Sequence, residues 1–212
     1  MSQPTIIPVL SAEEFIKTRH SVRNFKRDVT IPADTLNEIL ELASAAPSAW
    51  NLQHWRFLVI QEQAQKDLVK GIAYGQQQVS DASVVVVVLG DLQANLTGHQ
   101  IYNQAVDAGE LAPEVRDTLL GQIDGAYKFE QVARDEALKN AGLASMQLML
   151  AAKAKGYDSV PMGGYDKDRL IEALKIPARY LPVMIIPIGE AASPGRATGR
   201  ITLEQSVIKE SF

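Results

Sequence analysis

The sequence predicts a single α+β domain, and three observations carry that reading. Ser83–Gly90 (SVVVVVLG) is apolar at every interior position, which marks a central strand covered on both faces. Glu130–Lys155 is rich in Ala, Leu and Met and contains no proline, so it predicts one long helix of about seven turns. The remaining strand and helix signals follow one another in mixed order, with no internal repeat and no low-complexity segment. The 212 residues suit one domain, large enough to bury roughly 70% of the surface of the unfolded chain.

Taken in order, Ser11-Ala12-Glu13-Glu14 reads as a capping box that starts a short helix. A second helix begins near Pro32, a favourable first-turn residue, and stops before Pro47. Its residues Leu36, Ile39, Leu40 and Ala43 form one apolar face. His54–Gln61 combines aromatic and β-branched residues and predicts a strand. Gln63–Tyr74 is an amphipathic helix, followed by the apolar strand Ser83–Gly90. Between Asp91 and Lys128 the pattern loosens into short helices and loops, an excursion suited to covering a site rather than forming core. In the long helix, Ala137, Ala141, Ala144, Leu148, Ala151 and Ala152 spread widely around the axis. Such small residues permit close approach, so the helix is either central and buried or part of an interface. A short strand over Tyr157–Met162, a helix over Asp166–Leu174 and a strand over Leu181–Gly189 complete the domain. The tail from Ala191 to Phe212 carries apolar residues between Ile201 and Ile208 with little to pack on locally.

Composition narrows the function classes. The 21 basic residues are outnumbered by 25 acidic ones, giving a net charge of −4, which argues against a nucleic-acid or anionic-membrane surface. Cysteine is absent, which removes disulfides, thiolate nucleophiles and cysteine metal sites and agrees with a cytoplasmic location. Met1–Leu10 has no basic start and is broken by Pro8, so no signal peptide is expected. The longest strongly apolar run is far below the ~18 residues of a membrane helix. The three histidines show no metal-ligand spacing, and no metal is expected.

Four segments could build a site, though each alone has a plainer reading. Arg19-His20-Ser21-Val22-Arg23 gathers two arginines, a histidine and a hydroxyl, donors suited to a phosphate, or else a solvated basic cluster. Ala46-Pro47-Ser48-Ala49-Trp50-Asn51-Leu52-Gln53 is a polar loop, or a generic turn. Pro161-Met162-Gly163-Gly164 ends a strand and either turns the chain or offers backbone N–H groups to a flat ligand. Gly195–Arg200 is a basic stretch of the tail. Trp50, Tyr102, Tyr127 and Phe129 suit either a substrate pocket or the core.

Together, in this order and spacing, these segments resemble the FMN-dependent nitroreductase family. The R-x-S-x-R-x-F pattern stands as Arg19, Ser21, Arg23 and Phe25. The A-P-S-x-x-N-x-Q-x-W-x-F pattern stands as Ala46, Pro47, Ser48, Asn51, Gln53, Trp55 and Phe57, and the P-x-x-G turn as Pro161 and Gly164. The resemblance implies a nitroreductase-type sandwich, a mainly antiparallel sheet flanked by helices, in a homodimer that exchanges the tail from about residue 191. It implies that Arg19, His20 and Ser21 hold the FMN phosphate and ribityl chain, and that Arg23 faces the N1–C2=O edge of the flavin. Pro47, Ser48 and Ala49 would pack on the flavin from the partner subunit, with amide contacts from Asn51 and Gln53. Gly163 and Gly164, after Pro161 and Met162, would direct N–H groups toward N5 and O4. Arg200 would return to the phosphate with Arg196 as a second candidate, and Gln78 would add a flavin contact. NADH or NADPH would be the co-substrate, and a small electrophile such as a nitroaromatic or quinone the acceptor, in ping-pong two-electron transfer. Enone reduction, flavin breakdown, or flavin binding without catalysis stay open beside it. The sequence departs from the family in three places: no Glu stands in the Pro-Met-Gly-Gly turn, His54 replaces the usual Pro before the tryptophan, and Thr198 replaces a basic residue.

Overall fold

A computed structural model describes residues 11–212; Met1–Leu10, where no signal peptide is expected, lie outside the described residues. The structure is organised around β2 (Val84–Asp91), all eight residues of which are buried. It pairs antiparallel with β1 (Trp55–Ile60) on one side and with β4 (Tyr180–Gly189) on the other. The two-residue β3 (Asp158–Ser159) pairs antiparallel with the far edge of β4, giving the order β1-β2-β4-β3.

Alternation along β2 divides the core into two layers. Val84, Val86 and Val88 face α2 (Ala33–Ser44) and the long α7 (Glu130–Ala154), packing with Leu36, Ile39, Ala144 and Leu148. Val85, Val87 and Leu89 face the other way, toward Val69 and Ile72 of α3 (Gln63–Ile72), Val79 of α4 (Gln78–Asp81) and Leu170 of α8 (Lys167–Leu174). A strand apolar on both faces is therefore covered on both. At Gly90 the approach of α7 is so close that a Cβ there would stand 2.9 Å from the Ala137 carbonyl oxygen.

The predicted capping box at Ser11 is formed. Ser11 Oγ accepts from the Glu14 N–H at 3.2 Å and Glu14 returns to the Ser11 N–H at 2.9 Å, opening α1 (Ala12–Thr18). Pro32 precedes α2 as its N-cap rather than occupying its first turn. The excursion corrects the expectation of short helices and loops. It holds two regular helices, α5 (Asn95–Asp107) and α6 (Pro113–Ala126), packed against each other. Their weak periodicity has a physical reason: they bury few residues, mainly Gly98, Leu120 and Ile123, against a small core of their own with Leu52 and Ala94. The four-residue α4 has no periodic signal to reveal it. Beyond β4 the chain from Arg196 onward is exposed throughout, including the single turn α9 (Leu203–Ser206).

Buried Asp91 closes one end of the sheet. Arg179 grips it with two bonds of 2.7 Å and Arg56 approaches within 3.4 Å. Among the described residues, no helix is long and apolar enough to cross a membrane.

Candidate active site

Arg19 stands at the C-terminal end of α1, where the backbone turns extended, and Ser21 and Phe25 beyond it each make a single strand-like bridge. Two apolar side chains, Val22 and Phe25, pin this stretch into the core. Ser21 pairs in parallel with Ser159, and Phe25 pairs antiparallel with Ala191. Arg23 between them is exposed. The Arg19 Nη1 is buried and has no hydrogen-bond partner. Beside it, His20 borders a cavity of about 340 Å³ together with Lys153, Asp158 and the Ser193–Gly195 segment. The tail passes so close to His20 that a Cβ on Gly195 would stand 2.8 Å from the histidine Cβ.

The parallel pairing brings the Pro161–Gly164 turn beside this cluster, two residues downstream of Ser159. Met162 is buried and fixed to Ile185 by bonds of 2.8 and 3.0 Å, whereas Gly163 and Gly164 are exposed. A side chain at Gly163 would meet nothing within 4 Å, so the backbone there is open to a ligand. Gln78 is buried with its amide 3.7 Å from Met162 Sδ, against the same turn. Gln76, which sequence reasoning missed, donates to the Gly164 carbonyl at 2.8 Å and accepts from Gln78 at 3.1 Å. In the run Gln76-Gln77-Gln78 nothing local distinguishes the glutamine that faces the turn from the one that faces water.

The Ala46–Gln53 segment lies elsewhere in the same chain, on α5 and α7. Ala49–Asn51 forms one 3₁₀ turn, and Trp50, Asn51 and Gln53 all have left-handed backbones. The Ala49 N–H donates to Asn140 Oδ1 and the Tyr102 hydroxyl donates to the Trp50 carbonyl, each at 2.9 Å. Pro47 and Asn51 are exposed; Ser48, Ala49 and Gln53 are half-buried. Trp50, Tyr102 and Tyr127 prove to pack on the small core of the excursion, while Phe129 is exposed.

The tail arginines do not join the cluster within one chain. Arg200 turns back on its own segment, donating to the Thr198 carbonyl at 3.0 Å, the Thr198 hydroxyl at 2.8 Å and the Gly199 carbonyl at 2.9 Å, and Arg196 is exposed. One chain thus gathers Arg19–Arg23, Pro161–Gly164 and Gln78, and leaves Pro47–Gln53 and the two tail arginines apart.

His54 follows the left-handed turn and is fully buried, with neither ring nitrogen hydrogen-bonded. Burial pushes its pKa down to about 4, against the opposing pull of Glu136 and Asp91 and with a further push from Lys139. It stacks on Tyr127, 6.4 Å between ring centroids, whose own buried hydroxyl lacks a partner and is pushed above the usual phenol range by that burial.

A helix-flanked antiparallel sheet thus carries the buried, unpartnered Arg19 Nη1 and, along the segment with which Ser21 pairs, the exposed Gly163–Gly164 turn. The chain belongs to the nitroreductase family, whose model matches residues 16–190. It is 45% identical over 192 residues to a Bacillus subtilis protein named NAD(P)H nitroreductase YodC, covering 91% of this chain and 95% of that one. It is 35% identical to the CLA biosynthesis enone reductase of Lactiplantibacillus plantarum, covering 86% of each. A nitroreductase crystal structure from Exiguobacterium sibiricum, in complex with FMN, superposes with a TM-score of 0.89 at 38% identity, covering 97% of this chain and all of that one.

Proposed function

We propose that the chain is an FMN-dependent NAD(P)H oxidoreductase acting on nitroaromatics, quinones or related small electrophiles. The buried Arg19 Nη1 carries the reading. A charged N–H removed from water and left without an acceptor calls for an anion, and the terminal phosphate of FMN is one. The rest of the site fits the same group: His20 and Ser21 adjoin the arginine, and the exposed Gly163–Gly164 backbone leaves room for a flat ring.

Bound FMN supplies a two-electron carrier between NAD(P)H and the acceptor. The residues themselves position and stabilise. Arg19, His20 and Ser21 hold the phosphate and ribityl chain, and Arg23 offsets the negative charge that reduction places on the ring. Gly163 and Gly164 present N–H groups from a turn anchored by Met162 and Gln78. Pro47, Ser48, Ala49, Asn51 and Gln53 cover the ring from a second subunit, and Arg200, with Arg196 behind it, reaches the phosphate by way of the tail. No side chain needs to serve as a dedicated base.

Residues 1–212 then form one FMN-binding domain, and two copies form a homodimer with the tail crossing over. Support for the dimer lies in the tail, where Ile201, Leu203, Val207, Ile208 and Phe212 are all exposed. We place the enzyme in the cytoplasm on its cysteine-free composition. The enone reductase relative favours activated alkenes as a second acceptor class.

The visible spectrum of the purified protein tests the reading. A flavin spectrum is expected, with FMN released on denaturation and bleaching by NADH or NADPH under anaerobic conditions. A colourless protein that takes up no FMN overturns it.

A further inference from the structure

Trp50, Asn51 and Gln53 have φ of 50°, 53° and 50°. None is glycine, and three such residues within four positions persist only where the surroundings over-determine them. Ser48 supplies part of the restraint from within, its Oγ accepting the Gln53 N–H at 3.0 Å. The rest comes from two helices. From α7, Asn140 Oδ1 accepts the Ala49 N–H at 2.9 Å. Asn140 is itself immobilised: it is 3% exposed, and its amide donates to the Glu136 carbonyl at 2.7 Å and the Glu136 carboxylate at 3.0 Å. From α5, the Tyr102 hydroxyl donates to the Trp50 carbonyl at 2.9 Å. Between these two points Leu52 is fully buried against α5, where a Cβ on Gly98 would stand 2.7 Å from Leu52 Cδ2.

We propose that Asn140 and Tyr102 are positioning residues for the flavin site: they hold the Ser48–Gln53 turn in the left-handed shape in which it covers the cofactor. Neither needs to touch FMN. Asn140 fixes the entry of the turn and Tyr102 its middle, so α5 supports the turn through the Tyr102 hydroxyl. The inference rests on the proposed FMN-dependent function, since it is the flavin that the turn is assigned to cover.

Tyr102→Phe removes one hydroxyl and keeps the ring, so it tests the clamp with little risk to folding. The FMN dissociation constant is expected to rise about 5-fold, the equivalent of one hydrogen bond. Hydrogen–deuterium exchange of the FMN-free protein should speed up over residues 49–53. Asn140→Ala is expected to act in the same direction. In the double variant the two effects should combine to less than their product, because both substitutions release one turn. His99→Ala serves as the control: it breaks the 2.8 Å pair with Asp124 between α5 and α6 without touching the turn. It should leave both FMN affinity and exchange over 49–53 unchanged. The positioning role is overturned if Tyr102→Phe binds FMN and exchanges like the wild type, or if His99→Ala weakens binding equally. A wild-type protein that takes up no FMN overturns the proposed function instead.

Discussion

The Val22 N–H donates to the Ser159 carbonyl at 3.1 Å, and this bond joins two segments of the candidate site. Residues 22 and 159 are far apart in the chain, yet their pairing sets the arginine cluster beside the strand that leads into Pro161–Gly164. With Phe25 paired to Ala191 and the Asn24 carbonyl accepting the Ala192 N–H at 2.8 Å, the N-terminal segment is stitched to both β3 and the start of the tail.

The two arginines of the cluster should separate by experiment. Arg19→Ala is expected to raise the FMN dissociation constant by on the order of tenfold to a hundredfold, the range of a hydrogen bond to a charged group. The loaded enzyme should keep nearly its normal rate. The FMN-free protein should lose little stability, because Arg19 Nη1 bonds to nothing there. Arg23→Ala should instead slow anaerobic bleaching by NAD(P)H, by the equivalent of about 2–4 kcal/mol in the barrier, with a smaller effect on FMN binding. Titration of FMN into each variant, followed by stopped-flow at saturating FMN, measures both quantities. A wild-type rate and flavin potential in Arg23→Ala would remove its assigned role.

Deleting residues 201–212 should yield monomers and reduce FMN affinity together. The deletion removes apolar side chains that are exposed in their own chain and outside its core, so the fold of the remainder should be retained. Light scattering coupled to size exclusion, with flavin content read on the same peak, checks this. A truncated dimer retaining full flavin would show that the tail contributes neither surface.

His54 should make stability depend on pH. Its native pKa, near 4, lies below the unfolded value of about 6.5, so the unfolded chain takes up the proton first as pH falls. The penalty is absent above pH 6.5, grows as pH drops toward 4, and reaches on the order of 2 kcal/mol at pH 5. His54→Phe keeps an aromatic ring against Tyr127 and removes both unpartnered nitrogens. Thermal melts should show the variant gaining on the wild type at pH 5 relative to pH 8. Parallel pH profiles for the two proteins would contradict the assignment of this slope to His54.

Asp91→Ala should destabilise the fold by about 3 kcal/mol, because it strips two arginines of a fully buried carboxylate. Arg179 and Arg56 are partly exposed, which keeps the loss at the lower end of the range for broken buried pairs. Urea denaturation gives the value directly; a loss under 1 kcal/mol would mean that solvent takes over both guanidinium groups.

By itself the sequence determined every element whose signal is local or periodic. The capping box at Ser11, the apolar face of α2, the doubly covered strand β2 and the long α7 all follow from residues close together in the chain, because hydrogen-bond caps and burial periodicities are short-range properties. The motif order also placed Arg19–Arg23, Pro47–Gln53 and Pro161–Gly164 in one family pattern. Tertiary structure decided what depends on partners distant in the chain. The regular helices α5 and α6 were hidden because their burial is slight and is satisfied by Leu52 from another segment. Gln76 could not be told from Gln77 until the connection between α3 and α4 set it against Gly164. The left-handed turn at Trp50–Gln53 shows in the sequence only as a polar loop, since no glycine announces it and the groups bonded to it, Asn140 and Tyr102, are distant in the chain. The unmet donor of Arg19 is likewise a property of the folded interior: an arginine in a sequence is one more charge, and it becomes a demand for an anion only when the fold removes its water.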